Sequence, residues 1–508
     1  MEILTVAQMR EMEEKTARVS SYAAMMATAG KSAARYMIHH HMADGGRCVV
    51  LCGKGNNGGD GYVAGRELAK AGMQVQFIRL GVPVSAEARQ AAEEAAAMRL
   101  PVLDYDPDDP AMLASISGAD MVIDAVFGTG FHGGLPETFV SLHRVLKECR
   151  MIFAMDMPSG INADTGCCAP FALRADVTFA FGGLKAAHIL KPAALNCGEV
   201  VSMPIGIPED VRASCSFNWH LTDQRDVLER LCRRPATAHK GMFGRLLAVC
   251  GSRRYRGAAL LAVSAALRCG PGLVTLASPE EVLGPVICAA PECIAFPLKT
   301  DEAGCPSQMN AAALLKEADA ASTLLLGCGV GVSKDAQALC RTLIGAAKCQ
   351  LVLDADALTA VSGRPALLRE AVMPPILTPH LGEMARLCGK SIEEVAADRP
   401  SAALEFARTY QCIVVLKDSS TVVAAPQGEL YFSAVGNPGL AKGGSGDVLA
   451  GIVAGLCAQG MPPDAAAACG VWLHGHAADR CALRRGETAM LPHEILEDLC
   501  AFLAENQR

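Results

Sequence analysis

The chain has 508 residues, of which 51% are hydrophobic and 19% are charged, a composition typical of a soluble globular protein. This length exceeds what one ordinary hydrophobic core accommodates, so two domains are expected. The net charge of −7 and the aromatic content of 5% argue against nucleic-acid binding, which needs a basic face and stacking platforms.

The cysteines and the apolar segments indicate the compartment. The 22 cysteines lie at irregular spacings and form no paired CxxC motif of a zinc site. No apolar run reaches the length of a membrane span, and residues 1–18 alternate charged and apolar residues rather than forming a secretory signal. We therefore expect a cytoplasmic protein with no membrane partner.

The first half of the chain alternates helix-like and strand-like segments. Thr5 is placed to cap a helix that runs to about Val19. Two further helices are predicted at 22–42 and 62–71, and buried strands at 48–51, 75–80, 121–124 and 151–155. Apolar strands separated by helices predict a parallel sheet covered on both faces. Ligands bind beyond the carboxyl ends of such strands, so the loops at 53–61, 124–134 and 156–166 should meet at one site.

The second half is predicted to be a separate α/β domain. The pattern of the first half breaks around 204–208, and a helix at 222–231 precedes a new strand, which places the boundary near 210–225. Strands are predicted at 246–250, 273–277, 324–326, 351–353, 376–377 and 413–416, with helices at 258–269 and 446–456. The two halves share no sequence repeat, which favours two independent sites.

A glycine-rich segment follows the first strand. Residues 52–61 read CGKGNNGGDG, with five glycines interleaved with Asn56, Asn57 and Asp60. The glycines allow a close approach of the backbone to a ligand, and the following helix start offers free amides to a phosphate. The side-chain carbonyls of the two asparagines suit a hard cation. The alternative is a tight turn that binds nothing.

Two further loops carry carboxylates at neighbouring strand ends. Asp124 precedes FGTGFHGG at 127–134, and Asp156 opens the segment DMPSG, which contains Ser159. Each carboxylate alone could merely cap a helix. Three such loops at adjacent strand ends instead have the architecture of a ligand crevice.

These three motifs, in this order, resemble the YjeF-type N-terminal domain, the NAD(P)H-hydrate epimerase family, over residues 1–215. Thr28 stands where that family commonly has Asn. The resemblance implies that Asp156 is the catalytic acid/base and that Asn57, Asp124 and Ser159 hold a potassium ion. It implies a binding site for hydrated NADH or NADPH, NAD(P)HX, at Asn56, Asn57, Gly58, Gly59, Asp60, Gly128, Thr129, Gly130, Phe131, His132, Gly133, Gly134 and Asp156.

The strongest motif of the second half is GNPGLAKGGSGD at 436–447. Its glycines open a helix and place Asp447 in the first turn. Backbone amides there can stabilise a transferring phosphoryl group while Asp447, kept ionised by the helix dipole, accepts the proton of the attacking hydroxyl. No GxxxxGK[ST] motif occurs, which argues against a Walker-type ATPase. Asp354 and Asp356 either position Mg²⁺ or cap the following helix.

Together with HKG at 239–241, GCGVG at 327–331 and TPHLGEM at 378–384, this motif resembles the ribokinase-like superfamily. Within it, the resemblance is to the YjeF C-terminal domain, the ADP/ATP-dependent NAD(P)H-hydrate dehydratase family, over residues 225–505. The resemblance implies Mg²⁺ and an adenine nucleotide as co-substrate, ADP more readily than ATP. It implies substrate contacts at Ala258, Gly329, His380 and Asp447, and nucleotide contacts at Lys417, Asp418, Ser419, Ser420, Thr421 and Gly446.

Three positions depart from the dehydratase pattern. Asp418 adds a negative charge near the expected nucleotide phosphate, and Lys442, which stands where Thr or Ser is usual, could offset it. Leu381 replaces a family proline. The departures put the affinity and choice of nucleotide in question.

The two resemblances predict a Rossmann-like domain over 1–215 and a ribokinase-like α/β domain over 225–508. They imply an enzyme, expected to be a homo-oligomer, that epimerises R- and S-NAD(P)HX. It also dehydrates the S form to NAD(P)H with release of phosphate and either AMP from ADP or ADP from ATP. The alternative is a small-molecule kinase of the ribokinase-like superfamily fused to a non-catalytic YjeF-type binding domain.

Overall fold

The computed structural model describes residues 1–41 and 45–506 and divides into two compact units. The N-terminal unit is Glu2–Trp219, and the C-terminal unit comprises Met1 and His220–Arg508. Met42, the predicted end of the second helix, lies outside the described residues. Among the described residues, no helix is both long enough and apolar enough to cross a bilayer.

The N-terminal unit is built on a parallel sheet, whose strands run in the order β3-β2-β1-β4-β5-β6-β7. The strands are β1 (Arg47–Cys52), β2 (Gln74–Arg79), β3 (Val102–Asp104), β4 (Met121–Ala125), β5 (Ile152–Met155), β6 (Val177–Phe181) and β7 (Glu199–Met203). The central strands β4, β5 and β6 are buried along their whole length, as expected for a sheet covered on both faces.

Helices cover both faces of this sheet. They are α1 (Val6–Ala17), α2 (Tyr22–His41), α3 (Asn56–Lys70), α4 (Ala86–Ala97), α5 (Pro110–Ser117), α6 (Phe139–Leu146), α7 (Ala193–Cys197) and α8 (Glu209–Ala213), with a 3₁₀ turn at Ala186–His188. Thr5 begins α1 with a capping box, because its side chain accepts from the amide of Gln8 and the Gln8 side chain accepts from the amide of Thr5. The predicted cap of the first helix is confirmed.

The start of α3 differs from the prediction. The helix begins at Asn56 rather than at Tyr62, so most of the glycine-rich segment forms its first turns. Glycine is needed there for packing: a Cβ on Gly58 would lie 2.1 Å from the carbonyl oxygen of Gly53. The motif therefore brings the helix start close to the end of β1, rather than forming a long open loop.

The C-terminal unit is a second α/β unit with a ten-stranded sheet. Its order is β11-β10-β9-β12-β13-β14-β15-β16-β17-β8, parallel from β11 to β15 and antiparallel from β15 to β17. The strands are β8 (Trp219–Leu221), β9 (Arg245–Val249), β10 (Leu273–Pro279), β11 (Ile294–Leu298), β12 (Thr323–Leu326), β13 (Gln350–Leu353), β14 (Ile376–Leu377), β15 (Ile413–Leu416), β16 (Val422–Ala424) and β17 (Leu430–Phe432).

Helices of the C-terminal unit pack on this sheet and on one another. They are α9 (Gln224–Arg230), α10 (Arg256–Cys269), α11 (Glu280–Ala289), α12 (Ala311–Ala318), α13 (Lys334–Ala346), α14 (Asp356–Val361), α15 (Leu381–Cys388), α16 (Ile392–Ala397), α17 (Arg399–Tyr410), α18 (Ser445–Ala458), α19 (Pro463–Arg485) and α20 (Ile495–Asn506). Four 3₁₀ turns lie at Lys240–Phe243, Gln308–Asn310, Pro365–Glu370 and Pro438–Leu440. With both units α/β, the predicted fold class is confirmed.

Helix α18 is the centre of the C-terminal core, since nearly every residue after its first turn is buried. It crosses α10 at a close approach that small residues permit. A Cβ on Gly451 would lie 2.2 Å from the carbonyl oxygen of Ala262 and 2.9 Å from the Cβ of Ala265. The position of α18, and of Asp447 in its first turn, therefore depends on glycine at this crossing.

We expect Gly451→Ala to lower the free energy of unfolding by roughly 1–3 kcal/mol, because the added methyl group meets backbone that cannot move freely. Gly257→Ala in α10 is the matched control, since no heavy atom lies within 4 Å of its Cβ position. The control should leave stability unchanged or raise it by up to about 1 kcal/mol through better helix propensity. Denaturant unfolding of the two variants measures both values, and equal stabilities would contradict the packing argument.

Candidate active sites

A cavity of about 420 Å³ lies in the N-terminal unit, lined by segments that follow β1, β4 and β5. Helices α1 and α2 supply further lining residues, among them Glu13 and Met26, although Thr28 is not one of them. The end of β6 contributes Phe181, and Lys185 follows it. The cavity thus lies beyond the carboxyl ends of parallel strands, where a ligand is expected in such sheets.

The cavity brings together many of the residues predicted for the N-terminal site. Those that line it are Asn56, Asn57, Asp60, Gly128, Thr129, Gly130, Phe131 and Asp156. Gly58 and Gly59 are buried behind it, where a Cβ on Gly59 would collide with the Met26 side chain. His132, Gly133 and Gly134 are exposed and do not line the cavity.

Asp156 is held by its neighbours in an uncommon backbone conformation, with a φ of +64°. Its Oδ1 accepts a hydrogen bond of 2.7 Å from the Lys185 ammonium, and its Oδ2 accepts one of 3.1 Å from the amide of Thr129. Burial raises the pKa of Asp156, but the ion pair with Lys185 outweighs burial and holds the pKa below its usual value. Asp156 is therefore a carboxylate.

His188 fixes the backbone around this ion pair. Its Nε2 lies 3.0 Å from the carbonyl oxygen of Asp156, and its Nδ1 accepts from the amide of Lys185 at 3.0 Å. Burial and the charge of Lys185 lower the pKa of His188. A neutral ring that donates from Nε2 and accepts at Nδ1 satisfies both contacts.

A second polar cluster lies beside the cavity. Both oxygens of the buried Asp124 accept from Ser159: the hydroxyl donates to Oδ1 at 2.6 Å and the amide to Oδ2 at 2.7 Å. Burial raises the pKa of Asp124 to about 6, although the hydrogen bonds from Ser159 oppose the shift. The amide oxygen and nitrogen of Asn57 are buried without a hydrogen-bond partner. Carboxylate, hydroxyl and amide oxygens are ligands that suit a hard cation, and the Asn57 amide oxygen has no protein partner that such an ion would have to displace.

Three groups at the cavity were missed by the sequence analysis. Lys185 is fully buried, and Glu13 and Arg10 line the cavity from α1. A signal for Lys185 was present: it stands alone among small and apolar residues just past the end of a buried strand. No comparable signal marks Glu13, which lies among several charged residues of α1.

In the C-terminal unit, Asp447 lies in the first turn of α18 as predicted. Side-chain atoms of Asp447, Asp354 and Cys328 all lie within 4.8 Å of one another. Burial and the nearby Asp354 raise the pKa of Asp447 to about 6. The raised pKa of Asp447 is opposite to the lowering that the helix dipole alone would cause. A carboxylate with this pKa suits a proton acceptor at neutral pH.

Lys417 links this cluster to the glycine run before α18. Its ammonium donates to Oδ1 of Asp354 at 2.9 Å, and a Cβ on Gly446 would lie 3.2 Å from its Nζ. Asp354 also accepts from the Thr378 hydroxyl at 2.6 Å, whereas Asp356 accepts from the amide of Gly331. No side chain caps α14, so helix capping by the aspartate pair is wrong, and Asp354 lies at the Asp447 cluster instead.

The other predicted substrate contacts lie on nearby elements. A Cβ on Gly329 would lie 2.9 Å from the Cβ of Ala258, so the GCGVG loop passes close to α10. His380 caps α15 with its Nδ1, which accepts from the amides of Gly382 and Glu383, and its side chain is largely exposed. The backbone of His380 pairs with that of Lys417 in an isolated bridge.

The loop after β15 holds the predicted nucleotide contacts Lys417, Asp418, Ser419, Ser420 and Thr421. Asp418 is not an uncompensated charge, because its carboxylate pairs with the buried guanidinium of Arg399. Lys442 does not offset it, since its ammonium donates to the carbonyl oxygens of Thr488 and Met490.

Comparisons with known proteins match both units. A family model described as NAD(P)H-hydrate dehydratase matches residues 246–500, and one described as YjeF-related protein N-terminus matches residues 22–187. A ribokinase-like superfamily protein from Enterococcus faecalis, of known structure, superposes with a TM-score of 0.50 at 26% identity. That match covers 57% of this chain and 96% of the other chain, and it confirms a ribokinase-like fold.

Relatives that extend over most of the chain carry one description. The bifunctional NAD(P)H-hydrate repair enzyme of Moorella thermoacetica is 38% identical over 460 residues, which are 89% of this chain and 86% of that protein. The enzyme of the same description from Coxiella burnetii is 32% identical over 498 residues, 97% of each chain. With this identity over nearly the whole length, the chain belongs to the family of bifunctional NAD(P)H-hydrate repair enzymes.

Proposed function

We propose that the N-terminal unit epimerises R- and S-NAD(P)HX and that the C-terminal unit dehydrates S-NAD(P)HX to NAD(P)H at the expense of ADP or ATP. The observation that carries this proposal is the pair of separate polar sites, one centred on Asp156 and one on Asp447, in a chain related over its whole length to two-activity repair enzymes. The same family membership disfavours a small-molecule kinase fused to a non-catalytic domain.

In the epimerase, Asp156 takes a proton from the substrate hydroxyl or returns it. The cavity of about 420 Å³ suits a hydrated nicotinamide ring with part of its dinucleotide. The amides of Gly128 and of the start of α3 bind the polar groups of the substrate, while the amide of Thr129 is taken by Asp156. Potassium, held by Asn57, Asp124 and Ser159, would compensate the buried carboxylate and order the loop that follows β4.

In the dehydratase, the hydroxyl of S-NAD(P)HX attacks the terminal phosphoryl group of the nucleotide. Its proton goes to Asp447, and the bond between that phosphorus and the nucleotide breaks to release AMP or ADP. The ring nitrogen then donates its electron pair as the C–O bond breaks, phosphate leaves, and loss of a proton from the adjacent carbon restores NAD(P)H. Glycine-rich backbone at 443–446 and the ammonium of Lys417 lie where they can stabilise the transferring group.

Mg²⁺ would screen the phosphates near Asp354, a buried carboxylate in the Asp447 cluster. Nucleotide contacts are proposed for residues 417–421 and Gly446. ADP is the preferred co-substrate in this proposal, with ATP as the second. Because Arg399 compensates the charge of Asp418, Asp418 no longer strongly repels a nucleotide phosphate bound in this region.

The cellular setting is part of the same proposal. Many of the cysteines, among them Cys48 and Cys250, are buried free thiols, which suits the reducing cytoplasm. A homo-oligomer is proposed from the family resemblance, and its subunit number can be measured by sedimentation.

Separate sites predict separable activities. We expect Asp447→Asn to reduce dehydration roughly 100-fold or more while epimerisation continues, because the isosteric amide cannot accept the hydroxyl proton. Asp156→Asn should have the reverse effect, slowing equilibration of the purified epimers roughly 100-fold or more and leaving dehydration of the S epimer intact. Chromatography of both epimers measures the two rates in each variant. Loss of both activities in either folded variant would contradict two independent sites.

Potassium should stabilise the N-terminal unit. In KCl, compared with choline chloride at equal ionic strength, we expect a higher Tm, because a bound cation compensates Asp124 in the folded state. Asp124→Asn should abolish this salt-specific difference. Asp109→Asn is the matched control, since Asp109 caps α5 and asparagine caps a helix equally well. Identical Tm values of the wild type in the two salts would contradict a potassium site.

A further inference from the structure

Lys185 is a fully buried lysine, which is an unusual and costly position for a cation. Its ammonium donates to Oδ1 of Asp156 at 2.7 Å and to the carbonyl oxygen of Phe181 at 2.6 Å. Asp156 is also buried, with an exposed fraction of 9% against 0% for Lys185. A charge pair this deeply buried stabilises a protein little compared with apolar packing, which points to a functional role for the pair.

The two oxygens of Asp156 have different surroundings. Oδ1 accepts the hydrogen bond from the Lys185 ammonium. Oδ2 accepts one hydrogen bond, from the amide of Thr129, and lies 3.3 Å from the Cβ position of Gly128 in the loop that lines the cavity. A carboxylate oxygen can accept more than one hydrogen bond, so Oδ2 retains capacity for a substrate hydroxyl.

We propose that Lys185 is a positioning residue of the epimerisation: it holds Asp156 in the ionised, proton-accepting form and directs Oδ2 towards the substrate. This proposal rests on the function proposed above for the N-terminal unit. The proton passes from the substrate hydroxyl to Oδ2, while Lys185 keeps its own proton throughout. As the substrate proton leaves, the C–O bond becomes a carbonyl and the bond from that carbon to the ring nitrogen breaks, with its electron pair going to the nitrogen. When the nitrogen adds back to the opposite face of the carbonyl, the oxygen recovers the proton from the neutral carboxyl group, which the adjacent ammonium favours in its ionised form.

Among the charged and titratable groups that face Asp156, Lys185 is the cation that keeps the Asp156 carboxylate ionised. Glu13 on α1 and Asp60 on α3 both interact electrostatically with Asp156. Burial is the larger cause, and the charge of Asp156 the smaller, of the raised pKa of each. On the segment after β6, Lys185 is joined by His188, whose pKa is lowered. The guanidinium of Arg10 also lines the cavity, and it acts on Glu13. Without Lys185, burial and two neighbouring carboxyl groups would all favour protonation of Asp156.

The main test is Lys185→Met in the full chain, assayed for equilibration of purified epimers across pH. We expect kcat to fall roughly 100-fold near neutral pH with KM little changed, because the base is protonated rather than the substrate site lost. The acid limb of the pH–rate profile should move to about two pH units above neutral, because a base that is about 99% protonated at pH 7 has a pKa about two units higher, so the deficit shrinks as the pH rises. Lys70→Met is the matched control: Lys70 is an exposed lysine paired with Glu67 on the surface of α3, and its profile should match the wild type.

A double variant separates a positioning role from a purely structural one. In an Asp156→Asn background, Lys185→Met should cause no further loss of epimerisation, because Lys185 acts through a carboxylate that is already gone. Should Lys185→Met alone fail to fold, Lys185→Gln keeps a hydrogen-bond donor in the buried position without the charge and carries the same expectations. Circular dichroism reports folding in every variant.

Three results would overturn the proposal: an unchanged pH–rate profile, a loss that is constant across pH, or a further loss on adding Lys185→Met to Asp156→Asn. Its failure is distinguishable from failure of the proposed function. If the wild type does not equilibrate the epimers, the function is wrong. If the wild type does so, Asp156→Asn does not, and the Lys185 variants keep the wild-type profile, only the role of Lys185 is wrong.

Discussion

The constraint on which both units depend is the need to keep an aspartate charged inside a protein. A buried carboxylate is unfavourable unless a cation or hydrogen-bond donors compensate it. In the N-terminal unit, Lys185 pairs with Asp156 just beyond the carboxyl end of β5. In the C-terminal unit, Lys417 pairs with Asp354 beside Asp447. The functional aspartates differ in their nearest partner, and their pKa values shift in opposite directions. Direct pairing with Lys185 lowers the pKa of Asp156, whereas burial and the neighbouring carboxylate of Asp354 raise the pKa of Asp447 to about 6.

Glycine provides the second requirement, because backbone must approach closely where these carboxylates lie. The motif at 52–61 and the run at 443–446 lie at the start of α3 and α18, and in both units a helix begins beside the functional aspartate. At Gly58 and Gly451 packing requires glycine, because a Cβ there would meet backbone. The main effect of each glycine-rich motif is therefore to position the start of a helix. The unpaired backbone amides of that first turn are placed near the aspartate as a consequence.

Much of the fold could be predicted from the sequence because buried parallel strands are apolar throughout. The strands β1, β4, β9, β14 and β15 lie within one residue of their predicted bounds. The short strands β3, β8, β16 and β17 were not predicted, since three residues carry too little pattern, and the five-residue strands β6, β7 and β11 were missed as well. The start of α3 was placed too late because glycine disfavours helices, and here tertiary packing overrides that preference.

The sites were less predictable than the fold, and the reason is that partners distant in sequence set their charges. Asp156 and Asp447 were identifiable from motifs, but Lys185 lies 29 residues from Asp156, and Arg399 lies 19 residues from Asp418. Treating Asp418 as an uncompensated charge, with Lys442 to offset it, followed from reading neighbours along the chain. Arg399 supplies the compensation from α17 instead.

The two activities are chemically complementary, since a stereospecific dehydratase leaves one epimer unless a second site equilibrates them. The most direct measurement is incubation of chemically hydrated NADPH, containing both epimers, with the wild-type chain, Mg²⁺ and ADP or ATP. Chromatography should show that both epimers disappear, with full recovery of NADPH absorbance and one phosphate released per molecule repaired. Persistence of one epimer, or accumulation of a stable phosphorylated product, would contradict the account.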